Sequence, residues 1–151
     1  MKYKIQNCRS KRLKRRLVKG LDFYTKELMH RNLSRNLFVT LVVDNKMLDY
    51  GECFVTNIND QYKPRKFVVK LNSSMTDPLC TLAHEMVHIK QYAKGELSPC
   101  HTKWKSMHIN ELNMKYLDLP WEKQAFRYDY QLYEKFLEFE QQNFFIQLLI
   151  S

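Results

Sequence analysis

At 151 residues the chain has the length of one domain, and 44% hydrophobic with 13% aromatic residues give it too much to bury to remain disordered. Its net charge of +9 is local: residues 1–20 hold nine of the 25 Lys and Arg and none of the 16 Asp and Glu, so the remainder is formally neutral. No run approaches the roughly 18 apolar residues that span a bilayer, no signal-peptide apolar stretch follows the basic start, and Cys8, Cys53, Cys80 and Cys100 form no Cys-x-x-Cys pair, which excludes a zinc knuckle and a disulfide scaffold.

A cytoplasmic protein with reduced thiols and no membrane partner is expected, and composition leaves its oligomeric state open. From Ser10 to about His30, Leu13, Leu17, Leu21, Tyr24 and Leu28 recur at three- and four-residue steps, the period of an amphipathic helix. With the preceding cations this makes a basic N-terminal helical segment over 1–30. Three runs rich in β-branched and aromatic residues follow, Leu37 to Val43, Gly51 to Asn57 and Phe67 to Leu71, separated by turn residues at Asp44-Asn45, Asn59-Asp60 and Lys63-Pro64. They predict an antiparallel three-stranded sheet over 37–72. Asp77 as N-cap, Pro78 as first helical residue and Gly95 as αL stop delimit a helix over 78–94. Residues 96–117 read as an irregular connection. Pro120 opens a last helix over 120–149, with Phe126, Tyr130, Tyr133 and Leu137 as its apolar stripe. The whole is a single α+β domain over 1–151.

Inside the second helix, His84-Glu85-Met86-Val87-His88 is an H-E-x-x-H motif, which a shuffle of five His and nine Glu would produce roughly 0.01 times per chain. Two His four residues apart share one helix face, so both imidazoles can reach one Zn²⁺ at about 2.0–2.1 Å while Glu85 points beside them as candidate base. A catalytic zinc needs a third protein ligand. The metzincin pattern is excluded, because Gln91 and Lys94 stand where it requires Gly and His. Two candidates remain: Glu122, in an E-x-x-A pattern whose small Ala125 lets the last helix pack closely, and His101 in the connection. Tyr116 and Tyr128, near Glu122 in sequence, are candidates for oxyanion support, and Asp129, two helical turns on, for holding the free N–H of a zinc-bound His. Cys80, one turn before His84, reads as a structural thiol.

Residues from about Arg65 to Asp129 resemble the small phage-encoded metallopeptidases related to the SprT-like zincins. The matching segments are Phe67-Val68-Val69, Thr81 to Tyr92, Gly95-Glu96-Leu97, Trp104-Lys105 and Leu119-Pro120-Trp121-Glu122-Lys123-Gln124-Ala125. The Pro-Trp-Glu element of those phage proteins implies Glu122 as third ligand. SprT-like proteins proper use a His in a His-x-Lys-x-Trp setting, which His101 and Lys103 match in part, Trp104 coming one place early. The resemblance implies a minimal zincin-like fold with an active-site helix under a small sheet, a Zn²⁺ cofactor, and a protein or peptide substrate added to the sheet's edge strand.

The basic segment is the second feature. Arg12, Arg15, Arg16 and Lys19 offer cations to the phosphates of a nucleic acid, without interleaved aromatics for base stacking. The competing reading is therefore a nucleic-acid-associated binding protein that uses this segment and whose zinc site is structural or vestigial. Glu85 separates the two, since a structural site needs four protein ligands and no base.

Overall fold

The computed structural model describes residues 1–57 and 63–151. The turn expected at Asn59-Asp60 lies outside them. In chain order come β1 (Lys2–Gln6), α1 (Lys11–Leu28), α2 (Arg31–Ser34), β2 (Phe38–Val43), β3 (Gly51–Val55), β4 (Lys66–Leu71), α3 (Pro78–Ala93), β5 (Lys103–Trp104), β6 (Met107–His108) and α4 (Pro120–Ile150). The fold is mixed α+β with a small sheet.

Among the described residues the main sheet has four strands in the order β1-β2-β4-β3, not three. β1 and β2 pair in parallel, as do β2 and β4, and only β3 runs antiparallel, against β4. Two corrections follow. The segment over 1–30 is a strand and then a helix: Tyr3 and Ile5 alternate with Lys2 and Lys4, a period-2 pattern hidden by the charge, and the exposed lysines suit an edge strand. The sheet is not all antiparallel, because α1 carries the chain from β1 back to a parallel neighbour, the connection that parallel pairing requires.

One sheet face is packed. Val39, Leu41 and Val43 of β2 and Phe67, Val69 and Leu71 of β4 alternate with half-exposed neighbours, so period-2 patterning places every second side chain beneath α1 and α3. Ser10 caps α1 by accepting from Leu13 N–H at 3.1 Å, and Leu17, Leu21 and Tyr24 are its fully buried face. Asp77 caps α3 through Leu79 N–H at 3.0 Å. At the other end Gly95, with φ of +72°, lets its N–H reach Tyr92 C=O and that of Glu96 reach Gln91 C=O, both at 2.9 Å, closing α3 in a Schellman turn.

α4 crosses α3 with its first turns, where Ala125 is fully buried. Its core face is Trp121, Ala125, Leu132 and Phe136, one position round from the expected stripe, and Phe126 and Tyr130 are exposed. The shift arises because Phe126 lies against the His84 ring, 4.6 Å between centroids, at the rim of a cleft rather than in the core. Three elements are tied at one point: Arg16 of α1 bonds Asp77 at 3.1 Å and Glu140 of α4 at 2.8 Å, while Tyr133 donates to Asp77 at 2.8 Å.

Candidate metal centre

α3 is buried on nearly every side, so a polar residue on it must find partners inside the protein. His84, Glu85 and His88 are each less than a tenth exposed. His84 Nδ1 lies 3.0 Å from Asp129 Oδ2, and His88 Nδ1 lies 2.8 Å from Gln91 Oε1. Both partners accept: an ionised carboxylate has no proton to give, and the Gln91 amide nitrogen already donates to Trp121 C=O at 3.0 Å and Gln124 Oε1 at 3.1 Å. Each Nδ1 is therefore a donor, which leaves each Nε2 as the ring atom free to face a metal ion.

The two Nε2 atoms converge. They stand 3.2 Å apart, and Glu122 brings Oε2 to 3.2 Å from His84 Nε2 and Oε1 to 3.5 Å from His88 Nε2. Ligands held tetrahedrally at 2.0–2.1 Å from an ion are spaced about 3.3–3.4 Å apart. His84, His88 and Glu122 thus form a buried group that can hold a metal ion. Among the described residues the group has no fourth member.

Burial works against a charged His84, but its bonds to Asp129 and Glu122 outweigh this and hold its pKa up to about 9. Burial likewise opposes ionisation of Glu122, yet His84, His88 and the Tyr116 hydroxyl, which donates to Glu122 Oε2 at 2.8 Å, bring it down to about 2. Glu85 shows the opposite balance: burial dominates over the neighbouring histidines and pushes its pKa up to about 7. A carboxylate poised there exchanges protons readily at neutral pH.

A cleft of about 990 Å³ opens over this group, bounded by β3, α3, the start of α4 and the segment around Leu97 to His101. β3 contributes its length as the edge strand of the sheet. Gly51 at its start is pressed onto the site, since a Cβ there would lie 3.0 Å from Glu85 Oε1 and overlap Thr81 Cγ2.

The remaining sequence candidates divide clearly. Tyr116 and Asp129 reach the ligands as described. His101 lines the same cleft but both its nitrogens are engaged elsewhere, Nε2 with Tyr92 Oη at 2.6 Å and Nδ1 with Glu111 at 3.3 Å. Tyr128 is outside the cleft, its ring under the Lys90 ammonium in a separate hollow. Cys80 borders the cleft as a thiol whose pKa burial raises. Arg12, Arg15 and Lys19 are exposed on α1, but Arg16 is committed to Asp77 and Glu140 and does not belong to a free basic face.

Sequence reasoning passed over Gln91, noted only as a departure from the metzincin pattern. Its signal was spacing: three residues after His88, it lies one turn on along the same helix face. Gly51 had no such signal, because its contact with Glu85 is made across the sheet. Compared with family models, curated proteins and solved structures, the chain matches none of them.

Proposed function

We propose that the protein is a zinc-dependent peptidase of the zincin type, hydrolysing peptide bonds of a polypeptide laid along β3. The observation that carries this is the convergence of two imidazole Nε2 atoms and one carboxylate at 3.2–3.5 Å from one another, with Glu85 adjacent. The donor set of two nitrogens and one oxygen suits zinc, and a group of three leaves a position for chemistry. When bound there, the ion would supply Lewis acidity, lowering the pKa of a water towards about 7 and polarising the scissile carbonyl.

The chain's own residues supply the rest. Asp129 and Gln91 fix the ring orientation and tautomer of His84 and His88. Glu85 accepts a proton from the attacking water at its buried carboxylate and returns it to the leaving amine. Tyr116, half in solvent, holds Glu122 through its hydroxyl. Among the described residues β3 has no strand on its outer edge, which offers its backbone groups to an extended substrate.

Glu85→Gln tests the reading. The amide keeps shape but cannot take up a proton, so the variant should retain its metal and melting temperature and lose turnover of an unfolded polypeptide. Turnover within about tenfold of the parent would remove Glu85 as the base.

A further inference from the structure

The last third of α4 has no partner within the described chain. Phe144, Phe145, Ile146, Leu148, Leu149 and Ile150 are between 52% and 86% exposed, and residues 141–150 contain no charged side chain. Together they present on the order of 800 Å² of apolar surface, above the roughly 300–600 Å² of the largest patch on an ordinary monomer.

A second observation lies beside it. Contacts between α1 and α4 step backwards along one helix as they step forwards along the other: Glu27 pairs with Lys135, Phe23 packs on Phe136 and Phe139, and Arg16 bonds Glu140. The apolar end of α4 therefore emerges next to the start of α1. There Lys11, Arg12, Lys14 and Arg15 are exposed, none has a carboxylate within ion-pair distance among the described residues, and the first turn carries no acidic residue.

We propose that this end of the molecule docks on an anionic lipid surface, with the apolar turns of α4 inserted among the acyl chains and the cations of α1 on the headgroups. Two features favour lipid over a second copy of the chain. Six of the seven residues 144–150 are apolar, so apolar surface runs round the whole helix, whereas helix pairing buries one stripe. Self-association would also bring two unpaired basic clusters together, which anionic headgroups instead neutralise. The dimensions agree: ten helical residues reach roughly 15 Å, the hydrocarbon depth of one leaflet. Among the described residues no helix is long and apolar enough to cross a membrane, and the proposed contact is a peripheral one. This departs from the expectation of no membrane partner, which rested on the lack of a spanning segment; the surface is visible only once α4 is seen to run beyond the elements it packs on.

The test is sedimentation of the full chain with vesicles of phosphatidylcholine alone or with about 30% phosphatidylglycerol, near 0.1 M salt. Binding should be at least about tenfold tighter to the anionic vesicles. Replacing Phe145, Leu148 and Leu149 by Ser, or Lys11, Arg12, Lys14 and Arg15 by Gln, should each weaken it by about tenfold or more. All seven side chains are exposed, and thermal unfolding verifies that both variants fold. Absence of vesicle binding overturns the proposal, as does binding that survives the Ser substitutions. So does a dimer dispersed by those substitutions without lipid affinity, or retention on duplex DNA in place of vesicles.

Discussion

Gly51→Ala probes how tightly β3 is held against the motif helix. The added methyl would overlap Thr81 Cγ2, lie 3.0 Å from Glu85 Oε1 and 3.2 Å from the Lys70 carbonyl oxygen. Thr81 is 8% exposed and Glu85 5%, so neither can swing into solvent, and the Lys70 carbonyl belongs to the β4 ladder. Relief requires β3 to move off α3. Overpacking of this kind costs about 1–3 kcal/mol, or about 2–10 °C in melting temperature for a chain of this size. Thr81→Ser removes the overlapped methyl, so the double variant should recover about 1 kcal/mol relative to the sum of the single changes. Differential scanning calorimetry of the four proteins closes the cycle. A Gly51→Ala melting temperature within about 1 °C of the parent, or strict additivity with Thr81→Ser, would refute the close approach.

Four further changes address the site and its frame. Asp129→Ala, leaving His84 Nδ1 without its acceptor, should weaken zinc binding by about 10–100-fold in competition with a chelator, and unchanged affinity would show that Asp129 does not orient the ligand. In the same assay Glu122→Ala should weaken binding beyond that range and His101→Ala should leave it nearly unchanged; the reverse order would put His101 on the metal. Asp77→Ala removes the α3 cap and the acceptor of Arg16 and Tyr133, costing about 1–2 kcal/mol in denaturant unfolding at neutral pH. Burial works against the Asp77 charge, but Leu79 N–H, Tyr133 and Arg16 outweigh it and lower its pKa. The electrostatic part of that stability is therefore complete above the unfolded carboxyl value near 3.9 and lost as pH falls through the lower folded value, so parent and variant should converge in strong acid. A constant gap down to pH 2 would contradict the network.

The helices were legible because their signals are local. Ser10, Asp77, Pro78, Gly95 and Pro120 stand at their ends, and each acts through hydrogen bonds or dihedral preferences within one turn. The motif His and Glu were legible because helical spacing sets their face before any tertiary contact forms. β1 was not, because two of its five residues are lysines and an edge strand needs little hydrophobicity. Strand direction was hidden as well, since short apolar runs reveal period but not pairing partner. At the site, Gln91 and Gly51 depend on what α4 and β3 bring against α3. The stripe on α4 was misplaced by one position because Phe126 is apolar yet faces the cleft, and periodicity cannot separate a core face from a lining face.

The proposed peptidase chemistry requires His84, His88 and Glu122 to hold a zinc ion with one position open. X-ray absorption at the zinc edge, on protein purified without chelator or affinity tag, measures this directly. The account predicts about one zinc per chain with only nitrogen and oxygen neighbours near 2.0–2.1 Å and a scattering pattern of two imidazoles. A sulfur neighbour near 2.3 Å, a third imidazole, or protein that neither retains nor takes up zinc would contradict it.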